Sequence, residues 1–417
     1  MSLAALSVAA LAIAVAVSCF TTLNVGLLAI ALAWIVGVYL GGIPVNTVMG
    51  GFPSQLFLTL AGVTLLFTIA RCNGTLDRVA HHAVSACRGN RGLVPIMFFV
   101  LAASLSSVGP GNIATAALIA PMAMATSARA GIPLFLMAIM VGNGANAGSL
   151  SPIAPTGVIV NGIMARIGMP GHEAATFLTN VFAHAFVAFA GYALFGGLRL
   201  FRAGETDEAA EVAAADESSQ RFTQQHWLTL AAIGLLILSA FFFGVQVGMG
   251  AFLASVVLVL LGAADDREAV RQMPWSVIVM VSGVTVLIAV LEEAQGVDLL
   301  VSLVARISTA DSVTAVVAFL TGLISVYSST SGVVLPAFLP MVPGLAEQLG
   351  GADPLAIAAS MNVGGHLVDV SPLSTIGALC IASAPVETSR ELFNKLLAWG
   401  LSMAVVGAAI CYLMFGL

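Results

Sequence analysis

Apolar residues in this chain come in unbroken blocks, not in stripes. "MSLAALSVAALAIAVAVSCF" at the N-terminus is one, and similar blocks cover 22–42, 53–71, 226–245, 249–263 and 274–293. About 20 apolar residues is the length that crosses ~30 Å of hydrocarbon as an α-helix. Alternation with period two, the mark of an outer-membrane barrel, is absent. The pattern predicts helices throughout. No basic segment precedes the first block, the first Arg being Arg71, so this block is expected to be a retained span and not a signal peptide.

Other apolar stretches are interrupted. Residues 92–130 and 312–348 are apolar at both ends with a Gly/Ser-rich middle. Residues 132–167 and 354–384 contain "GNGANAGSLSPIAPTG" (Gly142 to Gly157) and "NVGGHLVDVSPLSTIG" (Asn362 to Gly377). Unpaired peptide groups are too costly to face lipid, so such segments belong inside protein or along a watery cavity. We read 92–130 and 312–348 as re-entrant hairpins and 132–167 and 354–384 as broken helices. Short amphipathic segments (75–88 and 297–308) precede the hairpins, and final spans (172–201 and 388–415) close each half.

That order occurs twice. "SPIAPTG" at Ser151 aligns with "SPLSTIG" at Ser371, an offset of 220; "APM" at Ala120 aligns with "LPM" at Leu339, an offset of 219; Gly74 aligns with Gly296, an offset of 222. A nearly constant offset indicates an internal repeat. Between the copies lies the one long polar segment, "RAGETDEAAEVAAADESSQRF" (Arg202 to Phe222). The expected organisation is a first repeat over 1–202, a linker over 203–225 and a second repeat over 226–417. Five spans per half is an odd number, so the second repeat is expected to insert upside down.

Charge gives an independent test. Lys and Arg collect in cytoplasmic segments. With both termini outside and the linker cytoplasmic, 12 of the 14 basic residues fall on the cytoplasmic side; Arg166 and Arg306 are the exceptions. Composition agrees on the class. Hydrophobic residues make up 59% and charged residues 8%, with mean hydropathy +1.06, against about 25% charged in soluble domains. Five cysteines lie singly, at Cys19, Cys72, Cys87, Cys380 and Cys411, without metal-binding spacing. No basic stripe points to nucleic acid, and no Walker motif points to ATP. The fold class is an all-α polytopic membrane protein of the bacterial plasma membrane, in contact with the lipid bilayer.

Four polar breaks at membrane depth remain: "SSVGPGNIATAAL" (Ser106 to Leu118), the opening break at Gly142, "SVYSSTSGVVLP" (Ser325 to Pro336) and the break at Asn362. Two hairpins and two broken helices related by inversion are a known transporter plan. Helix N-termini attract anions and freed carbonyls coordinate Na⁺.

"GNIATAALIAP" (Gly111 to Pro121) resembles the hairpin motif of the divalent-anion:sodium symporters. The wider chain, with "GGFPSQLFLTLAGVTLLF" and "GNGANAGSLSPIAPTGVIV", resembles the MatC-type dicarboxylate carriers of the same ion transporter superfamily, the first half more closely than the second. The resemblance implies an elevator-type, homodimeric transporter that is not an enzyme and takes up small carboxylates with two or more Na⁺ ions. It implies roles residue by residue. Asn112 matches the motif's Asn, while Gly111 and Ile113 replace its Ser and Thr. Ser107 stands where a sodium-ligating hydroxyl is expected. Ser329, Thr330 and Ser331 form the second triplet, with Ser325 four residues before Ser329. Gly148, Ser149, Ser151 and Pro152 match the first turn, and Val370, Ser371 and Pro372 the second. Substrate-contacting residues are thus Asn112, Ile113, Ser149, Ser151, Pro152, Ser329, Thr330, Ser331, Ser371 and Pro372. Sodium-binding residues are Ser107, Gly111, Asn112, Gly148, Ser325, Thr330, Asp369 and Val370.

No Arg or Lys lies at any break. A carboxylate would be held by hydroxyls, amides and helix N-termini, with Na⁺ supplying positive charge, so substrate is expected to bind after sodium. Asp369 is the one acid at a break. It serves either a cation or proton-linked role or as a cap for a half-helix starting near Ser371. His366 is either a packing histidine or a proton-linked one. Asn112 could cap its own helix, and Asn143 and Asn146 could bond across helices. His81 and His82 fit a solvated interface. A proton-coupled carrier on the same scaffold stays open. An intramembrane hydrolase using His366, Asp369 and Ser371 is disfavoured, because a lone site needs no twin.

Overall fold

The computed structural model describes residues 2–21, 23–85, 90–201 and 221–416, and its regular structure is helical. The expected linker up to position 220, Cys87, Arg88 and Arg202 lie outside the described residues, as do the side chains of Cys19 and His81. Among the described residues, six helices are long and apolar enough to cross a membrane: Val45–Cys72, Glu173–Leu194, Trp275–Glu293, Thr330–Leu349, Pro354–Ala382 and Val386–Phe415. Leu3–Phe20, Val25–Leu40, Gln224–Phe243 and Val247–Leu260 are further apolar helices. Helices thus occupy each of the expected spans 2–20, 22–42, 226–245 and 249–263. Polar caps cut the blocks: Asn24 accepts from the N–H of Gly26 at 2.9 Å and Gln246 from that of Met249 at 2.6 Å.

The first hairpin consists of helices Leu93–Val108 and Gly111–Arg129, packed against each other. Gly109 turns the chain at φ +146°, where a side chain would overlap the Phe67 ring. The second hairpin has an outgoing helix, Val313–Ser325, and an irregular return: a π-turn at Thr330–Val334, a short helix at Leu335–Phe338, a 3₁₀ turn at Leu339–Met341 and a helix at Val342–Leu349. Pro336, Pro340 and Pro343 lack an N–H to donate, so this arm cannot hold a regular α ladder.

The broken helices are Leu134–Gly148 followed by Pro155–Arg166, and Pro354–Leu367, extended by a 3₁₀ turn at Val368–Val370, followed by Thr375–Ala382. Their turns match bond for bond. Ser151 N–H donates to the carbonyl of Gly148 at 3.2 Å and Ala154 N–H to that of Ser151 at 2.9 Å; Ser371 N–H donates to Val368 at 2.8 Å and Ser374 N–H to Ser371 at 3.0 Å. Ala154 and Ser374 are both extended N-caps. The second half-helix thus starts at Thr375, not near Ser371, because the Ser371 turn closes before the helix begins.

Packing is duplicated too. Trp275–Glu293 packs on Val25–Trp34, and Ser54–Cys72 packs on Val247–Leu260. Each crossing is made at glycine: a Cβ on Gly62 would overlap the carbonyl of Gly248, and one on Gly283 would overlap that of Gly26. These glycines are related by offsets of 221 and 222. In the same way Gly144 meets Phe99, and Gly364 meets Ala318. Small residues let helix backbones approach closely where no hydrophobic force drives association within lipid. Both broken helices, the first hairpin and the final helices share one buried core that includes Leu136, Met137, Val363, Leu367, Leu396 and Met403.

Candidate functional site

A cavity of about 240 Å³ opens where the two hairpin tips meet the second broken helix. Asn112 and Ile113 come from the first tip, Tyr327 and Ser328 to Ser331 from the second, and Asp369 and Leu373 to Ile376 from the break. Of the residues expected to touch substrate, Asn112, Ile113, Ser329, Thr330 and Ser331 line it. Pro152 is exposed, while Ser149, Ser151, Ser371 and Pro372 are buried without lining this cavity. Ser149 donates its hydroxyl to the carbonyl of Asn146 at 2.7 Å, and Ser371 packs against Gly400. The sequence motif therefore marks the turns, but the backbone curls their hydroxyls back into protein. Tyr327, Leu373, Ser374 and Thr375 line the cavity without having been singled out, although they fall within the quoted breaks; no charge set them apart there.

Asn112 does not cap its own helix in the usual way; Pro110 holds the N-cap position. Its Oδ1 accepts from the N–H of Ile113 at 3.0 Å and its Nδ2 donates to Oδ1 of Asn146 at 2.8 Å. Asn146 in turn donates to the carbonyl of His366 at 3.3 Å. Asn180 donates to the carbonyl of Asn146 at 2.7 Å, and His184 Nδ1 lies 2.9 Å from Oδ1 of Asn143. The cross-helix bonding expected of Asn143 and Asn146 is present. Asn180 and His184, from the final span of the first half, escaped sequence reading because they sit singly in an apolar run. The bonds of Asn112 and Asn146 fix the tip against both breaks, while Oδ1 of Asn180 and Nε2 of His184 have no partner among the described residues.

The second tip is held by a carboxylate. Thr330 donates to Oδ1 of Asp369 at 2.7 Å and lies 3.3 Å from the carbonyl of Gly365. Asp369 therefore does not cap the half-helix; its backbone carbonyl takes the hydroxyl of Ser374. Ser325, fully buried, has no partner for its Oγ among the described residues. Hydroxyl, carbonyl and carboxylate oxygens outnumber the protons available to them here. An oxygen-only set with one negative charge fits a hard monovalent cation such as Na⁺, and Ser325, Thr330 and Asp369 are the residues that would hold it. No cluster of His, Cys and carboxylates for a softer metal occurs among the described residues. At the first tip, Gly148 packs on Ser107, whose hydroxyl donates to the carbonyl of Ala103 at 2.7 Å, and Gly111 has φ +77°. Val370 is buried against Gly142 of the other break.

His366 Nδ1 lies 2.9 Å from the carbonyl of Asn362, while the Oγ of Ser371 accepts from the N–H of Leu373 at 3.3 Å. A hydrolytic His–Asp–Ser chain does not assemble. A second cavity, about 180 Å³, adjoins the first at Asn112, Ile113 and Ser331 and runs along Leu60, Thr64, Phe67, Thr68 and Arg71.

No curated protein matches the chain. The crystal structure of the Alcanivorax borkumensis YdaH transporter, described as having an unusual topology, shares the fold at TM-score 0.59 and 17% identity, over 93% of this chain and 96% of that one. At this identity the likeness carries the fold alone. Residues 1–149 match the family model described as dicarboxylate carrier protein MatC N-terminus, so the resemblance to the MatC-type carriers is shown over that stretch, on a multi-pass helical membrane fold.

Proposed function

We propose that this protein is a secondary active transporter that imports small di- or tricarboxylates, of C4-dicarboxylate, malonate or citrate type, by symport with two or more Na⁺ ions. The observation that carries the reading is the cavity between the hairpin tips, which has Asp369 in its wall and no basic side chain. A carboxylate dianion entering it meets a charge of its own sign. A cation among Ser325, Thr330 and Asp369 cancels that repulsion and supplies attraction, so substrate affinity depends on the cation by direct electrostatics.

The duplicated glycine crossings and matching turns support two repeats of opposite orientation, and the Lys/Arg distribution supports termini outside and the linker inside. The shared core of hairpin and broken helices supports a transport unit that slides as an elevator against Val25–Trp34 and Trp275–Glu293, in a homodimer. Uptake of a labelled carboxylate panel into proteoliposomes tests the reading. Saturable uptake is expected with Na⁺, and loss of it when choline replaces Na⁺ at fixed pH. Carboxylate binding of equal strength without Na⁺ would overturn sodium symport.

A proton-coupled carrier is the second reading, favoured by Asp369 being the single carboxylic acid lining the cavity. It is expected to keep transporting in choline and to follow an imposed pH gradient.

A further inference from the structure

The cavity between the tips offers an anion no basic residue, yet its neighbour does. The 180 Å³ cavity that meets it at Asn112, Ile113 and Ser331 is lined by one charged side chain, Arg71. Leu60, Thr64, Phe67, Thr68 and Arg71 recur every three or four positions along helix Ser54–Cys72, so they form one face. From Thr64 to Arg71 that face runs about 10 Å at 1.5 Å per residue, from the tip of the first hairpin to the end of the helix. The walls are apolar apart from Thr64, Thr68, Asn112, Thr156, Gln272 and Ser331.

Arg71 is held but not neutralised. Its Nη2 donates to Oε1 of Gln272 at 3.1 Å and lies 3.4 Å from the Gln272 carbonyl. The amide nitrogen of Gln272 donates to Glu268, and that carboxylate is already paired with Arg71's neighbour in space, Arg271, at 2.7 Å. Among the described residues Arg71 has no ion pair of its own. One edge of the guanidinium is fixed by a neutral amide, which leaves its charge and remaining N–H groups for a carboxylate, the anion whose geometry a guanidinium fits best.

Resting on the proposed transport of carboxylates, we propose that Arg71 is the anion-docking residue at one mouth of the pathway. It captures a substrate carboxylate and passes it along the Thr64–Thr68 face to Asn112 and Ser331. Low-dielectric walls focus the field of a single charge and raise the local concentration of anions. Arg71 belongs to a helix outside the hairpins, so its action is confined to the membrane face on which this mouth opens. Asn73, two residues on, bonds Thr229 at 2.8 Å, which puts this face at the end where the second half begins.

The test is carboxylate transport by wild type, Arg71→Gln, Arg71→Lys and Gln272→Leu in proteoliposomes, with substrate supplied to one face at a time and ionic strength varied. Arg71→Gln is expected to raise KM on the order of tenfold at low ionic strength on the Arg71 face, with kcat and the opposite face unchanged. Arg71→Lys is expected to retain most of the wild-type affinity, and Gln272→Leu to fall between. Wild type alone gives a second measure: KM on the Arg71 face rises with salt, and KM on the other face does not. Equal salt dependence on both faces, or an Arg71→Gln KM equal to wild type, overturns the docking role. Wild type that transports no carboxylate overturns the function itself, a different result from an active wild type indifferent to Arg71.

Discussion

Asn146 and His366 stand at equivalent places in the two halves, 220 residues apart, and they touch: the Asn146 amide donates to the His366 carbonyl at 3.3 Å. Asn146 also receives Asn112 from the first hairpin tip at 2.8 Å. One side chain thus ties the tip to both broken helices.

Replacing it should loosen all three. Asn146→Ala leaves the Asn112 amide without its acceptor in a buried site. The expected loss is about 0.5–2 kcal/mol, the range for polar contacts between membrane helices. A lower melting temperature in detergent, accompanied by weaker carboxylate binding, is the predicted outcome. Unchanged melting would mean that the network contributes no net stability.

The Thr330–Asp369 bond separates a structural role from a cation-binding one. Thr330→Ser keeps a hydroxyl 2.7 Å from the carboxylate and should transport nearly as wild type. Thr330→Val removes it and should raise the Na⁺ concentration needed for half-maximal uptake. Asp369→Asn keeps the shape and removes the charge, and should abolish the dependence on that cation. Sodium titrations of uptake for the three variants distinguish these outcomes; identical curves would refute the cation site.

Asn112→Ala should cripple uptake because Asn112 lines both cavities. Ser371→Ala should act differently. Ser371 is fully buried and packs on Gly400, so the change is expected to alter thermal stability while leaving KM close to wild type. A KM for Ser371→Ala raised as far as that of Asn112→Ala would show that the turn opens to substrate.

Glycine substitutions probe the duplicated crossings. Gly62→Leu and Gly283→Leu each force a side chain into the backbone of the facing helix. Both should fail to assemble, seen as aggregation on size-exclusion chromatography. Gly234, within helix Gln224–Phe243, has nothing near its missing Cβ. Gly234→Ala should fold normally and gain up to about 1 kcal/mol of helix propensity. Equal behaviour of all three would deny the crossings their importance.

The breaks were legible in sequence because glycine, proline and serine cannot hide inside an apolar helix: "SPIAPTG" and "SPLSTIG" mark two turns that prove alike bond for bond. The irregular return arm at Thr330–Leu349 was not read from the sequence, where 312–348 shows only as a hairpin with a polar middle. Which hydroxyls face the cavity was not readable. Ser151 and Ser329 look alike in sequence, but one is turned into protein and the other lines the cavity. Asn180 and His184 gave no signal, since a lone polar residue in an apolar span acquires meaning only from the helix opposite it.

Hydropathy by itself determined that this chain lies in a membrane and is helical, because lipid admits few ways to pair a backbone. Only the tertiary structure decided the site. It put Asp369 beside Thr330 and set Arg71 in a cavity reaching the hairpin tip. These are contacts between segments tens to hundreds of residues apart. They depend on how helices cross, and the crossings are set by close backbone approach at glycines such as Gly62 and Gly248, which local sequence pattern does not encode.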